Sequence, residues 1–492
     1  MKRSLLGLAA ASVLVLAACG DDDDGGGAAG STTPGTAAGT TAPAATTAPA
    51  ATTAPAATTA PAATTATSGG ATTAPGSSAP GSSTPSGGEG PSNIQKPGEC
   101  GMGTGEKATG EPIKIGAMAT KAPVADFTWI TGLTAAYFDC VNDNGGINGR
   151  PIQYIAEEEQ IDPQQIASLA RKLIEQDKVL GIVGSTSLIE CSVNKDYYAQ
   201  QNFYLIIAGV SQDCFTSPNF SAVNMGPYYS SLGGAQAALR AGAEGKMVIA
   251  SPNQPGFDLI NSGVVEFAED NGLEGVSILE DAPFADPAAF AQRLVQEAGD
   301  GGGVVLDYTG PNVVPLLQAI EQQGLVDSAV WASSTPPNDP SVAQALGEAW
   351  NGKFLINAEF NVLDSGQPDQ NHMNEIREKY APDINSSSFA QMGYLAGRVA
   401  TDALLGIEGD ITKESVNEAF RNIKNFTSDI WCKPWYFDST VGSNVSNNVD
   451  ITVSPQDGNM VQVEDCFDIA ELAGNPLAEI RAAEQELGLN VG

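Results

Sequence analysis

Asn142-Asp143-Asn144-Gly145-Gly146-Ile147-Asn148-Gly149-Arg150-Pro151-Ile152 is the most informative segment of the chain. Gly145 and Gly146 can adopt the left-handed backbone conformation that commonly ends a helix. Pro151 favours an extended backbone and precedes the apolar run that begins at Ile152. The segment therefore predicts the end of a helix, a tight turn and the start of a strand.

Apolar runs and helical segments alternate on both sides of this turn. The apolar runs are Ile113–Met118, Ile152–Ile155, Val179–Val183, Phe203–Ala208, Met247–Ala250, Val276–Leu279, Val304–Leu306 and Ala329–Ala332. Between them lie segments of helical periodicity, among them Pro163–Glu175, Leu259–Asn271, Pro287–Ala298 and Val313–Gln323. Strands that alternate with helices of about 10–15 residues predict right-handed βαβ units and parallel sheets. Because so many units exceed one hydrophobic core, we expect an α/β protein with two lobes.

The turn resembles the Gly-Gly-Ile-x-Gly-Arg-Pro-Ile signature of type I periplasmic binding proteins. The nearest resemblance is to the branched-chain amino acid, or leucine-binding, substrate-binding proteins of ABC transporters. Further family features follow in order from about Glu111 to Gln462: Glu157 to Glu159, Asp162-Pro163, Lys172-Leu173-Ile174 and Val179-Leu180-Gly181-Ile182-Val183-Gly184. The resemblance implies two Rossmann-like lobes with parallel sheets, joined by a three-strand hinge and closing around a small ligand. It places lobe 1 at residues 99–231 and 359–434, and lobe 2 at residues 232–358 and 435–492.

The resemblance also implies ligand-binding residues in lobe 1. Ligands of open parallel sheets bind beyond the carboxyl ends of the strands. The loop Gly184-Ser185-Thr186-Ser187 matches the family loop that holds a ligand carboxylate, so Ser187 is expected to bind it, with Ser185 in reserve. Gly209 and Ser211 match a segment that offers the ligand a backbone carbonyl and a hydroxyl. The alternative for each serine is a helix cap.

Aromatic side chains of loops are the expected contribution of lobe 2. Phe257 and Tyr308 are the nearest matches to the family's ligand-contacting aromatics, and Trp129 is a candidate on the lobe 1 side. Loop aromatics beside Gly or Pro serve as ligand partners or as core filler, and the sequence favours the first slightly.

One position departs from the leucine-binding pattern. Those proteins place an acid after the strand that corresponds to Ala329–Ala332, where it neutralises the ligand ammonium. This chain has Ser333-Ser334-Thr335-Pro336-Pro337 there. Asp307 either replaces that acid from a neighbouring strand end or is a solvated helix-cap acid. The ligand is therefore open between amino acids, amides, aromatic acids and other small carboxylates.

The first 19 residues have the pattern of an export signal. Lys2 and Arg3 precede an apolar core, Leu5–Ala18, which is too short for a comfortable transmembrane helix. Leu16-Ala17-Ala18-Cys19 resembles the lipobox of bacterial lipoproteins, which implies that Cys19 is diacylated, with palmitate-type chains, and anchors the protein to the lipid membrane. The alternative is an ordinary signal peptide with a chance cysteine. We expect the mature protein on the extracytoplasmic face of the cell membrane.

Residues 20–98 are expected to form a disordered tether. From Gly25 to Ser92 the chain is nearly all Ala, Thr, Pro, Gly and Ser, with the hexad Thr-Thr-Ala-Pro-Ala-Ala repeated from Thr40. No large apolar side chain there can offset the entropy lost on ordering. The segment is either a spacer that lifts a globular domain off the membrane or a neutral linker.

Six further cysteines suggest disulfides rather than a metal or redox site. They are Cys100, Cys140, Cys191, Cys214, Cys432 and Cys466. An even number in an exported domain suggests three bridges, although six cysteines allow 15 connectivities. Cys191 and Cys214 follow adjacent predicted strands and are expected to pair. Sequence proximity then favours Cys432 with Cys466 and Cys100 with Cys140. The spread of these residues, without Cys-x-x-Cys, argues against metal binding.

Composition and motifs exclude several functions. Acidic residues outnumber basic ones 58 to 23, giving a net charge of −35, so nucleic acid is not an expected partner. The single histidine, His372, leaves no room for a multi-histidine metal site and is expected on the surface. The chain has no nucleophile elbow, zinc-protease motif or phosphate-binding loop. Glu157 and Glu159 could form a glycosidase pair, but a guessed spacing is poor evidence. We expect no enzyme activity and no cofactor.

The expected function is capture of a small polar ligand, an amino acid or a related amide or carboxylate, for delivery to an ABC permease. Two alternatives remain open from the sequence. One is a ligand-sensing module for a membrane receptor. The other is an envelope protein that kept the fold without binding a solute.

Overall fold

The computed structural model describes residues 93–123, 125–211, 213–254, 256–437, 449–469 and 477–486. The predicted signal peptide, Cys19 and the tether up to residue 92 lie outside these residues. Within the described ranges, no helix combines the length and the apolar character needed to span a bilayer.

The first sheet has six strands. They are β1 (Ile113–Ala122), β2 (Ala125–Asp126), β3 (Ile152–Glu159), β4 (Gly181–Ser185), β5 (Leu205–Ile207) and β6 (Phe220–Ala222). The parallel order is β3-β1-β4-β5-β6, and β2 pairs antiparallel with β1. The intervening helices are α1 (Thr128–Asp143), α2 (Pro163–Arg171) with a π-helical extension (Lys172–Asp177), α3 (Glu190–Gln200) and α4 (Asp213–Thr216).

The second sheet has seven strands in the order β13-β12-β11-β10-β9-β7-β8. They are β7 (Lys246–Ser251), β8 (Glu274–Leu279), β9 (Gly303–Leu306), β10 (Val330–Ser333), β11 (Phe354–Ala358), β12 (Val449–Gln456) and β13 (Asn459–Asp468). Strands β7 to β11 are parallel, whereas β12 and β13 are antiparallel. The helices along this part of the chain are α5 (Gly226–Arg240), α6 (Phe257–Asp270), α7 (Pro287–Ala298), α8 (Gly310–Gln322), α9 (Pro340–Ala345), α10 (Pro368–Tyr380), α11 (Ser388–Leu405), α12 (Lys413–Arg421) and α13 (Leu477–Glu486).

The α/β fold class predicted from the sequence is confirmed. Every predicted apolar run overlaps a parallel strand. The diagnostic turn also forms as expected: α1 ends at Asp143, and Gly145 and Gly146 have φ values of 94° and 59°. A Cβ on Gly146 would lie 2.2 Å from the carbonyl oxygen of Arg150, so this position requires glycine.

The lobe boundaries can be located from the packing. Helix α5 packs on the second sheet from its start, where Met225 and Tyr229 share a core with Met247. Trp435 and Phe437 lie instead in the core of the first sheet. The boundaries after residues 231 and 434 remain predictions, but the packing favours divisions near Gly226 and after Phe437.

The segment that precedes β1 is bound to lobe 1, although the sequence assigned residues up to 98 to a disordered tether. The Asp402 carboxylate accepts hydrogen bonds of 2.8 Å from the backbone N–H groups of both Ile94 and Gln95. The Asp369 carboxylate accepts another, of 2.9 Å, from Gly98. Backbone N–H groups that donate to the buried acids Asp369 and Asp402 therefore hold this segment in place. Amino-acid composition does not reveal such contacts.

The expectation that His372 is a surface residue is wrong. The side chain is 7% exposed, and its Nδ1 lies 3.0 Å from the Tyr394 hydroxyl. Burial lowers the pKa of His372 to about 4. Helix α10 looks polar overall, but the face that carries His372 packs among α1 and α11.

Candidate functional site

Two strand-end loops of the second sheet bond the first turns of α5, which follows closely after β6, the last strand of the first sheet. The Ser231 hydroxyl donates to the Asp307 carboxylate after β9, at 3.1 Å. The Ser230 and Thr335 hydroxyl oxygens, the latter after β10, are 2.8 Å apart. Loops of lobe 2 therefore reach the segment that leaves the last strand of lobe 1, which is the side of the sheets where the fold predicts a ligand.

Glu359 connects two of the segments in which the chain crosses from one lobe to the other. Its carboxylate accepts a hydrogen bond of 2.7 Å from the backbone N–H of Met225, which lies at the first crossing. Glu359 itself follows β11 at the second crossing. Burial raises the pKa of Glu359 to about 7, against the opposing effect of its hydrogen bonds.

The predicted carboxylate-binding loop of lobe 1 is already satisfied within the protein. Ser187 accepts a hydrogen bond of 3.1 Å from the backbone N–H of Glu190 in the first turn of α3, and it donates one of 2.8 Å to Glu159. Thr120 accepts a 3.0 Å bond from the backbone N–H of Leu188 and donates to the same Glu159 oxygen. The Ser187 hydroxyl therefore bonds the first turn of α3, as the helix-cap alternative expects, and its contact with a ligand stays a prediction.

A third donor completes the surroundings of Glu159. The backbone N–H of Ile161 donates to the second carboxylate oxygen. Glu159 is 0% exposed. Its three hydrogen-bond donors explain its position without the glycosidase pair with Glu157 that the sequence allowed. We call Glu159, Thr120 and Ser187 the lobe 1 acid cluster.

The other predicted lobe 1 residues also have partners inside the protein. The Ser185 hydroxyl accepts a 2.9 Å hydrogen bond from the backbone N–H of Met118. Gly209 donates its N–H to the Asn224 amide oxygen at 2.8 Å, and its carbonyl accepts from the Asn224 amide nitrogen at 2.9 Å. Ser211 is half-buried, and its oxygen lies 3.4 Å from the sulfur of Cys214.

Asp307 is buried rather than solvated. It is 4% exposed and accepts hydrogen bonds from Ser334, at 2.6 Å, and from Ser231. Burial raises the pKa of Asp307 to about 6, although both hydrogen bonds oppose the rise. We call these three residues the lobe 2 acid cluster.

The three predicted aromatics occupy different environments. Tyr308 is 2% exposed, its ring packs edge-on against Phe284, and its hydroxyl donates to the Glu280 carbonyl. Phe257 is the first residue of α6 and is half-buried. Trp129 is also half-buried, with Phe389 edge-on at 6.2 Å between ring centroids. Ligand contact by all three stays a prediction, and the position of Tyr308 is that of a core residue.

Sequence reasoning missed two buried polar side chains in these loops. Asn338 follows β10 and is 0% exposed, and its Nδ2 and Oδ1 have no hydrogen-bond partner among the described residues. Thr186 follows β4 and is 1% exposed, and its hydroxyl likewise has no partner within the described ranges. Asn338 lies directly after the loop Ser333–Pro337, in which the family resemblance led us to look for an acid. Its position in the sequence could therefore have drawn attention to it. We call Thr186 and Asn338 the unpartnered pair.

The structure pairs the six cysteines in the connectivity predicted. The sulfur atoms are 1.97 Å apart in Cys100–Cys140, 2.01 Å in Cys191–Cys214 and 2.15 Å in Cys432–Cys466. Cys191 lies in the first turns of α3 and Cys214 in α4, so this pair braces the loops after β4 and β5. The one candidate metal cluster within the described ranges is Cys100, Cys140 and His372, and its two sulfurs are bonded to each other.

Comparisons with known proteins agree with this geometry. A family model described as "Periplasmic binding protein" matches residues 112–459, close to the limits that the motifs gave. A family of periplasmic binding proteins indicates an extracytoplasmic location, and it is one of solute-binding proteins rather than enzymes. No curated protein matches the sequence.

Several solved structures share the fold at low sequence identity. A fatty acid ABC transporter substrate-binding protein from Thermomonospora curvata is 20% identical, with a TM-score of 0.61, covering 74% of this chain and 94% of that one. A branched-chain amino acid ABC transporter protein from Thermus thermophilus with bound valine is 16% identical, with a TM-score of 0.63 and coverages of 73% and 97%. A solute-binding protein from R. palustris in complex with 4-hydroxybenzoate is 17% identical, with a TM-score of 0.58 and the same coverages.

Family match, sheet topology and the turn at residues 142–152 point to one conclusion. Because the family model spans most of the chain, the protein belongs to the periplasmic binding protein family.

Proposed function

We propose that this protein captures a small polar solute between its two lobes and delivers it to an ABC permease. The observation that carries the proposal is that strand-end loops of lobe 2 bond the segment Met225–Ser231, which directly follows the last strand of lobe 1. The family match and the solute complexes of the similar structures support it. Half-buried Trp129 and Phe257, with the loops after β4, β5, β9 and β10, are the proposed lining of the site.

Thermal melting of the purified protein against a solute panel tests capture. The panel holds amino acids, amides, aromatic acids, short dicarboxylates and urea-like compounds. A solute at 100 times its dissociation constant stabilises the folded state by about 2.7 kcal/mol, which should raise the melting midpoint by a few degrees. Recovery of the solute unchanged distinguishes binding from turnover. Failure of every solute class to shift the midpoint contradicts the proposal.

Uptake in cells tests delivery. Cells that lack this protein should take up the captured solute poorly, and expression of the wild-type chain should restore uptake. Normal uptake in its absence would contradict a transport role and favour ligand sensing.

We further propose that Cys19 is acylated and that the exported domain carries the three disulfides. The lipobox-like sequence and the paired sulfurs support these two assignments. Mass spectrometry of the native protein should find an acylated N-terminal cysteine and no free thiol. The Cys19→Ser variant should leave the membrane fraction, and wild-type protein in the soluble fraction would contradict the anchor.

A further inference from the structure

We propose that the Cys432–Cys466 disulfide and the C-terminal helix α13 form a brace across the hinge, which keeps the two lobes within a narrow range of relative orientations. The brace concerns the movement of the lobes and not the identity of the solute. It bears on the proposed capture, because lobes that close around a solute must turn at this hinge. We call residues 430–436 the hinge segment.

The hinge segment is anchored in lobe 1, beside two of the places where the chain changes lobe. The indole N–H of Trp431 donates to the backbone carbonyl of Val223, directly after β6, at 3.0 Å. The Ile430 carbonyl accepts a hydrogen bond of 2.8 Å from the backbone N–H of Asn361, shortly after β11. Because Ile430, Trp431 and Trp435 are all buried in the core of the first sheet, the hinge segment belongs to lobe 1.

One residue of the hinge segment is covalently bound to lobe 2. Cys432 packs against the core of the second sheet, and its sulfur is bonded to that of Cys466 in β13. The chain passes from lobe 1 to lobe 2 between Phe437 and β12, so the disulfide connects the lobes in addition to the crossings of the chain. The two Cα atoms are 6.0 Å apart, and this separation can change little while the bond is intact.

Helix α13 makes a second connection at the same place. Glu484 is 1% exposed and accepts hydrogen bonds from two side chains of the hinge segment, Lys433 at 2.8 Å and the Tyr436 hydroxyl at 2.9 Å. Arg481 donates to Glu484 at 2.6 Å and also to Asp468, the last residue of β13. Charge-assisted hydrogen bonds through α13 therefore link the lobe 1 hinge segment to a lobe 2 strand.

The two connections should limit how far the lobes move relative to each other. Lobes of this kind turn by changes in φ and ψ at a few hinge residues. Each further connection beside those residues opposes the rotations that would separate its two ends. Loss of the brace leaves the crossings of the chain intact, so the lobes should stay joined but adopt a wider range of orientations.

Distances between two spin labels in the ligand-free protein measure this range. Genetically encoded labels, which leave the cysteines unmodified, would replace Ser168 in α2 of lobe 1 and Gln296 in α7 of lobe 2. Both residues are exposed and lie within helices. Pulsed electron resonance gives the width of the distance distribution, and circular dichroism checks that each variant is folded.

Removal of the disulfide tests the covalent connection. Cys432→Ala combined with Cys466→Ala should at least double the width of the distribution. Cys100→Ala combined with Cys140→Ala is the matched control, because both of these residues lie in the lobe 1 core, and it should leave the width unchanged. An unchanged width without Cys432–Cys466, or equal broadening in both double variants, would overturn the covalent part of the brace.

A pair of glutamate variants tests the part played by α13 with the disulfide intact. Glu484→Gln keeps the size of the side chain but removes the charge that binds Lys433 and Arg481, and it should broaden the distribution at least 1.5-fold. Glu486→Gln, an exposed position of the same helix, should not. Equal widths in these two variants overturn the role of α13. Because no solute is present in any of these measurements, a failure of the brace leaves solute capture standing, and a failure of capture leaves the brace standing.

Discussion

Each lobe has a buried acid at the carboxyl edge of its sheet, and each acid accepts hydrogen bonds from two side-chain hydroxyls. The two edges differ in the further hydrogen bonds of those hydroxyls. In lobe 1, Thr120 and Ser187 accept in turn from N–H groups at the start of α3. In lobe 2, Ser231 and Ser334 bind Asp307, whose pKa burial raises to about 6.

The two acids are bonded in similar ways but differ in how completely the protein compensates their burial. The lobe 1 network has a donor for each acceptor and connects three elements, β1, β3 and α3. In lobe 2, burial raises the pKa of Asp307 against the effect of its hydrogen bonds, and the Asn338 amide has no hydrogen-bond partner among the described residues. The acid of lobe 1 is therefore fully bonded within the protein, whereas the acid of lobe 2 is less well compensated for its burial.

Loss of the Cys191–Cys214 pair should have the largest effect on stability among the changes near the two sheet edges. Changing both residues to Ala should destabilise the domain by about 3 kcal/mol, because a bridge over a separation of 23 residues restricts the unfolded chain. It should also weaken solute binding, since the loops after β4 and β5 lose their brace. Urea unfolding and titration calorimetry measure the two effects.

The Cys100–Cys140 pair provides the control for that variant. It joins the segment before β1 to α1, away from the strand-end loops, with a separation of 40 residues. Its removal should cost similar stability and leave affinity unchanged. Equal loss of affinity in both double variants would contradict a bracing role for Cys191–Cys214.

The acid of lobe 2 should make stability depend on pH. Because the folded-state pKa of Asp307 is raised from 3.8 to about 6, its contribution to stability is fully present below about pH 4 and is lost as pH rises through 6. The free energy of unfolding of the wild type, relative to Asp307→Asn, should fall by on the order of 2–3 kcal/mol between pH 4 and pH 7. Urea midpoints of both proteins across this range test the sign. A difference that stays constant with pH would show that Asp307 does not titrate there.

Single serine variants should have the smallest effects. Ser187→Ala removes an acceptor for the first backbone N–H of α3 and a donor to Glu159, so it should cost about 1–2 kcal/mol of stability. Ser211→Ala should stay within about 0.5 kcal/mol, because Ser211 is half-buried and the contact of its hydroxyl among the described residues is with a sulfur. Equal destabilisation by the two variants, measured by urea unfolding, would contradict the network described for lobe 1.

Much of the fold could be predicted from the sequence because periodicity and turn chemistry act locally. The turn at residues 142–152 and the alternation of strands and helices are of this kind. The antiparallel β12 and β13 were missed, because Val449–Gln456 alternates apolar and polar residues instead of forming a continuous apolar run, and its pairing with β11 is long-range. The burial of His372 was missed for the same reason, since it depends on packing against α1 and α11.

The candidate site was predictable as a location and not as a set of partners. The loops after β4, β5, β9 and β10 were identified from the sequence, and those after β9 and β10 both bond the first turns of α5. A serine that caps a helix and a serine that binds a ligand look alike in sequence, so the link between Ser187 and Glu159 required coordinates. Tyr308 shows the same ambiguity, because an aromatic after a strand can turn into the core as readily as into a cleft.

Identification of the solute that accompanies the native protein tests the central claim most directly. The protein would be purified from its own source without prolonged dialysis, denatured, and its small-molecule fraction analysed by mass spectrometry. We predict recovery of one small polar solute, in an amount approaching that of the protein. Protein that is purified in this way without any such solute, and that no solute of the panel stabilises, would contradict solute capture.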